Sequence, residues 1–190
     1  MHQSICTNVD GCKGAGMIDL RVPQFTIGDV SRATGVASET IRSWYKRGIL
    51  VLGPSDVSAE ETGYARRLSG ASAIAIGIIG RLAGMGVPLE LASRAANGFA
   101  FTGADGERAP ALLFPEGETL LAIKGDRFLF INANEATLLS DILSASDGSV
   151  CLLDLFPIVQ GVRDGLKLGP DPLEPVSRRM SRQPRTKRRG

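Results

Sequence analysis

"SRATGVASETIRSWYKRGIL", residues Ser31 to Leu50, sets two short helical patterns on either side of a glycine. Just ahead of it, Thr26 followed by Asp29 reads as an N-cap with an acid in the first turn. Such a pair satisfies free amides and suits the positive end of the helix dipole. Ile27, Val30 and Ala33 recur at helical spacing, and Gly35 is placed to end the helix. Val36 is the apolar residue of the turn. Ser38 is expected to cap a second helix, with Glu39 in its first turn and Ile41 and Trp44 on one face. Lys46 and Arg47 stand at its C-terminal end, where cations suit the dipole, and Gly48 stops it before Ile49 and Leu50 anchor the exit. Two short helices joined by a glycine turn make a helix-turn-helix.

With Ile41 and Trp44 turned inward, Thr40, Arg42, Ser43, Lys46 and Arg47 remain outside. Hydroxyls and cations on a short helix, presented by a packed partner helix, suit insertion in a DNA major groove. The plainer reading is a solvated face on an ordinary helical hairpin.

Residues 51–68 hold Gly53, Pro54 and Gly63, a loop or small wing ending in "YARRLS". Ser69 can cap a third helix carrying Ile74, Ile78, Ile79, Leu82 and Met85. "GMGVP" breaks it, and "PLELASRAA" reads as a fourth helix with Pro88 near its first turn. Beyond Gly98, "FTGADGERAP" (Phe101 to Pro110) reads as a linker. "ALLF", "TLLAI" and "RFLFINA" are then strand-like runs separated by the turn residues of "PEGE" and "KGD". "NEATLLSDILSA" (Asn134 to Ala145) is an amphipathic helix pattern, "VCLLDL" a further strand and "PIVQGVRDGL" a final helix.

The fold class expected is a mainly α winged helix-turn-helix domain followed by a small α/β (α+β) module, with disordered termini. The boundaries that follow are a disordered N-terminal extension over 1–24, the helix-turn-helix domain over 25–98, a linker over 99–110, the module over 111–168 and a basic tail over 169–190. Met17 opens a more protein-like run, so the first sixteen residues read as an upstream extension.

Composition narrows the function. A hydrophobic fraction of 43% with 22% charged residues is ordinary for a soluble globular chain, and 5% aromatics leaves the core to Leu, Ile, Val and Ala. The formal charge of +2 is unevenly spread. Residues 175–190 carry seven cations and no acid, which leaves −5 on residues 1–174. Such a tail can add non-specific phosphate contacts. The three cysteines, Cys6, Cys12 and Cys151, have no histidine at ligand spacing and fit a reducing compartment. Cys151, in an apolar run, is expected to be a buried thiol. His2 is the only histidine, and no Ser/His/Asp set, P-loop or dinucleotide fingerprint is present, so neither an enzyme, a cofactor nor a metal site is expected. The most apolar window, "ASAIAIGIIGRLAGMGVPLELA", is interrupted by Arg81 and Pro88 and is too short to span a bilayer. A cytoplasmic protein with no membrane partner is expected.

The run "FTIGDVSRATGVASETIRSWYKRGIL" resembles the start of the MerR-type winged helix-turn-helix. Members of that family open with Ile-Gly-acid, turn at Gly-Val, continue with Ile-Arg-aromatic and close with Gly-Leu-Leu. Here those positions are Ile27, Gly28 and Asp29, then Gly35 and Val36, then Ile41, Arg42 and Trp44, then Gly48, Ile49 and Leu50. "GYARRLS" stands for the family's Gly-Tyr-Arg stretch, with a one-residue adjustment at Ala65, and "IGRLAGMGVPLELA" is similar to its next helix pair. The resemblance covers Phe25 to about Gly98.

Carried over residue by residue, the resemblance implies that Arg42 contacts the DNA backbone or a base edge. Ser43 stands where the family often has a DNA-facing tyrosine, and Trp44 matches its packed aromatic. Tyr45 replaces a usual acid, which removes a negative charge near the phosphates. Tyr64, Arg66 and Arg67 match the wing, which in the family touches flanking phosphates. Ser38, Thr40, Arg42, Ser43, Lys46, Arg47, Tyr64, Arg66 and Arg67 are therefore the expected DNA-binding set. Family regulators dimerise through one long helix that forms an antiparallel coiled coil. Here residues 98–110 are glycine-rich and no sustained heptad pattern follows. The module at 111–168 is left to pair subunits, bind a small-molecule or protein effector, or dock a partner.

The leading expectation is a sequence-specific transcriptional regulator that binds double-stranded DNA as a homodimer. An architectural factor of the excisionase or phage-packaging type is the runner-up. A protein-interaction module that has lost DNA binding is the third reading, since six cations against five acids give residues 25–68 a charge of only +1.

Overall fold

A computed structural model describes residues 19–58, 65–103, 108–132 and 150–168. The expected helix at 134–145, the wing tip with Tyr64 and both terminal segments lie outside the described residues. Among the described residues, five helices and three strands follow in the order α1 (Ile27–Thr34), α2 (Ser38–Lys46), α3 (Gly70–Gly84), α4 (Leu89–Phe101), β1 (Thr119–Lys124), β2 (Arg127–Asn132), β3 (Val150–Asp154) and α5 (Phe156–Leu166).

The start of α1 is a full capping box. The Asp29 amide donates to Thr26 Oγ1, and the Thr26 amide donates back to the Asp29 carboxylate. Gly35 ends the helix at φ +73, a left-handed conformation that glycine adopts at no steric cost. The start of α2 differs from the sequence expectation. Its N-cap is Ala37 with no side-chain bond, and Ser38 is the first helical residue. The one-residue shift places the Ser38 hydroxyl inside the first turn.

The centre of the molecule is α3. A helix apolar all round must be covered all round, and every residue from Gly70 to Ile79 is buried, as is Leu82. Helix α4 packs along one side, while α1 and α5 take others. Val159, Val162 and Leu166 of α5 join the same core as Val30 of α1 and Ile41 of α2. The approach of α5 to α1 is close enough to require glycine: a Cβ on Gly165 would lie 2.8 Å from Ala33 Cα. The C-terminal helix is thus part of the packing that holds the helix-turn-helix.

The sheet is antiparallel with order β2-β1-β3. Its β1–β2 hairpin turns at Gly125 and Asp126, with Gly125 at φ +59. The face formed by Leu121, Ile123, Phe128, Phe130 and Leu153 packs toward the helices, where Phe130 meets Phe99 at 5.7 Å between ring centroids.

Three further expectations change. "ALLF" is no strand: Ala111 takes φ +60 and the run is irregular, although Ala111, Leu113 and Phe114 are buried. The cause is Arg108. Its guanidinium, only 2% exposed, donates to the carbonyls of Phe99, Thr102, Ala109 and Leu112. A backbone that curls to aim several carbonyls at one cation cannot also be extended. Arg108 packs against both the Phe99 and the Phe130 ring, 4.3 and 5.1 Å from their centroids, and burial lowers its pKa to about 10. It remains a cation at neutral pH. The expected linker is therefore anchored at both ends, since Phe101 closes α4 and Arg108 is inside. Cys151, finally, is half-buried on β3, and that burial pushes its thiol pKa up. No described helix is long and apolar enough to cross a membrane.

Candidate nucleic-acid interface

Helix α2 divides cleanly. Ile41 and Trp44 are buried at 0% and 6% exposure. Arg42, Ser43, Lys46 and Arg47 are exposed, and Ser38 and Thr40 half-buried. Glu39, Arg42, Ser43 and Lys46 stand at i, i+3, i+4 and i+7 and so share one outward face. Arg42 Nη1 donates to Glu39 Oε1 at 3.0 Å, with both side chains well exposed. An exposed pair of this kind contributes about 0–1 kcal/mol, so a phosphate or base edge can compete for the guanidinium.

The helix is held at its far end. The Trp44 carbonyl accepts from the amides of Ile49 and Leu50, and Ser93 Oγ of α4 donates to the Ile49 carbonyl. Next to it rises the base of the wing. Val57 and Arg67 exchange both backbone hydrogen bonds, at 3.0 and 3.1 Å, and Phe25 pairs with Leu68. The Asp56 carboxylate secures this base by accepting from the Gly53 amide, the Ser69 amide and the Ser72 hydroxyl.

The two expected wing arginines behave differently. Arg67 is exposed and donates to the Gln24 carbonyl at 3.3 Å. Arg66 is half-buried and lies over the ring of Tyr45, 4.3 Å from its centroid. Burial, followed by the charge of Asp56, drives the Tyr45 phenol well above the usual tyrosine range. Tyr45 thus does more than remove an acid, because it carries the wing arginine. The structure brings Arg42, Ser43 and Lys46 together on one helix, with Arg47 as its C-cap, and joins that helix to the wing base through Tyr45 and Arg66. Asp56 and Ser93 went unnoticed in the sequence. Asp56 follows Gly53 and Pro54, a turn signal, but its partners Ser69 and Ser72 lie beyond the wing, and Ser93 is far from α2 in sequence.

Residues 25–98 match the family model described as MerR HTH family regulatory protein. That segment is a MerR-type helix-turn-helix domain. The match takes in α1, α2, the wing base, α3 and most of α4, and stops before the sheet and α5. No curated protein matches the chain. A MerR-type domain is a DNA-binding unit of transcription regulators. Among the described residues no cluster of three or more His, Cys, Asp or Glu is placed to hold a metal.

Proposed function

We propose that this chain is a sequence-specific transcriptional regulator that binds double-stranded DNA as a homodimer, with α2 in the major groove and the wing on flanking phosphates. The observation that carries the reading is the outward face of α2, where Arg42, Ser43, Lys46 and Arg47 project from a helix buried through Ile41 and Trp44. Arg42 and Ser43 sit mid-helix, where side chains reach base edges, and Lys46, Arg47 and Arg67 suit phosphates. Tyr64 belongs to the same wing by sequence. Arg66 serves by holding the wing base on Tyr45.

The test is selection of genomic fragments with the purified full chain, followed by footprinting at two salt concentrations. A discrete footprint with two-fold symmetry is expected. Arg42→Ala should weaken binding by about 1–3 kcal/mol and relax one base position, and Lys46→Ala should lower the salt slope by about 1. A ladder of cooperative sites would favour the architectural reading. Diffuse binding that is unchanged in Arg42→Ala would remove α2 from the interface and favour a protein-interaction module, in keeping with the +1 charge of residues 25–68.

A further inference from the structure

A cavity of about 630 Å³ opens on the side of the molecule where the wing base, the α4 C-terminus and α5 meet. Native interiors rarely leave voids much larger than a water molecule, whereas small-molecule sites span roughly 300–1,000 Å³. Leu20, Ala71, Ala100, Phe101, Ala111 and Leu112 make its wall largely apolar. Its charged groups are few. Arg163 reaches the wall from α5 and is only 1% exposed, while Arg21 and Asp19 stand on the N-terminal approach and are both exposed. Asp19 Oδ1 already accepts the Arg21 amide at 2.9 Å. Among the described residues, the lining thus carries two guanidinium groups and one carboxylate.

We propose that this cavity binds a small amphipathic carboxylate, its apolar body against Phe101, Ala71 and Leu112 and its carboxylate toward Arg163, with Arg21 at the mouth. A guanidinium has five N–H donors, so Arg163 can serve a neighbour in the chain and still bind a ligand carboxylate in a bidentate fork. Within low-dielectric walls such a charged pair is stronger than in water. Alanines rather than larger side chains line much of the wall and leave the volume that the apolar body fills.

The cavity also touches the DNA-binding unit. Ser55 and Ser69 belong to its wall and flank Asp56, the carboxylate that ties Gly53, Ser69 and Ser72 at the wing base. A ligand seated against these serines bears on the geometry of the wing. That consequence rests on the proposed DNA-binding function, while the binding itself does not.

Binding is therefore measured on the full chain without DNA. The probe is 8-anilinonaphthalene-1-sulfonate, an anion with an aromatic body, compared with the uncharged N-phenyl-1-naphthylamine. One probe molecule per chain is expected, with displacement by 2-naphthoate or decanoate; which of the two competes identifies an aromatic or an aliphatic body. Arg163→Met should weaken the anionic probe about tenfold and the neutral probe less than twofold. Should Arg163→Met fail to fold, as judged by circular dichroism, Arg21→Ala at the exposed mouth replaces it, with an expected loss of about threefold for the anion alone. Leu112→Trp, which fills the cavity, should abolish binding of both probes. No saturable binding, no displacement by either carboxylate, or equal losses for charged and neutral probes would overturn the proposal. Carboxylate binding that leaves DNA affinity unchanged would overturn only its link to the wing.

Discussion

The guanidinium of Arg66 lies 4.3 Å above the ring of Tyr45, so a residue of the wing base rests on the second helix of the helix-turn-helix. The hydroxyl of Tyr45 is buried with no hydrogen-bond partner among the described residues. Ring and hydroxyl therefore have opposite effects on stability. Tyr45→Phe keeps the ring and removes an unsatisfied polar group, and should leave stability unchanged or raise it by up to about 1 kcal/mol. Tyr45→Ala loses the platform and its packing, and should cost about 2–3 kcal/mol. Urea unfolding of the two variants measures the difference, and equal losses would show that the hydroxyl has a partner of its own.

Two glycines of one helix should respond in opposite directions to the same change. A Cβ on Gly161 meets nothing within 4 Å, whereas one on Gly165 would strike Ala33 at 2.8 Å from both its Cα and its Cβ. Gly161→Ala should stabilise by about 0.5–1 kcal/mol through helix propensity and a less disordered unfolded chain. Gly165→Ala should destabilise by about 1–3 kcal/mol, because backbone has to move. Thermal unfolding of both variants decides whether α5 packs on α1 as described.

Removal of α5 tests how far the helix-turn-helix stands alone. Val159, Val162 and Leu166 are buried against α1 and α3. Each fully buried aliphatic side chain contributes about 1.5–3 kcal/mol, so their joint loss approaches the whole stability of a typical domain. A chain ending at residue 155 should show lost cooperativity in denaturant and exposed apolar surface by dye binding. A sharp, unshifted transition would show that α5 is dispensable to the fold.

The capping box of α1 gives a pH signature. Hydrogen bonds from the Thr26 hydroxyl, then from the Thr26 amide, lower the Asp29 pKa below its ordinary value of 3.8, with Arg32 and Arg67 assisting. The folded state thus releases this proton more readily than the unfolded one. Its contribution is complete above the unfolded value and is lost as pH falls through the folded value. Thr26→Ala should cost about 1 kcal/mol at neutral pH. The variant should also lose less further stability than the parent between about pH 5 and pH 3, as followed by denaturation at each pH. Parallel acid limbs would place the depressed pKa elsewhere.

Local signals were legible because local physics produces them. Thr26 with Asp29, Gly35 and Ser69 mark helix ends through hydrogen bonds within a single turn, and all three act as read. Ile41 and Trp44 at helical spacing gave the inner face of α2, and with it the outer face that carries the candidate site. "TLLAI", "RFLF" and "VCLLD" became strands around a glycine turn. Ser38 missed its cap by one residue: the Ala37 carbonyl accepts the first helical bond, from the Ile41 amide, although alanine offers no side-chain acceptor to the free amides.

The amino-acid sequence by itself determined the helix-turn-helix, its exposed cations and the alternation of strands and helix that follows, since each depends on neighbours a few positions apart. Tertiary structure decided everything that joins distant segments. It turned "ALLF" from strand to loop around the buried Arg108, set Arg66 on Tyr45, and placed α5 beside α1 through a glycine with no side chain to hold them apart. In each case the deciding energy is a desolvated charge seeking carbonyls and rings, or apolar surface seeking cover, and the partner lies far along the chain, where spacing carries no signal.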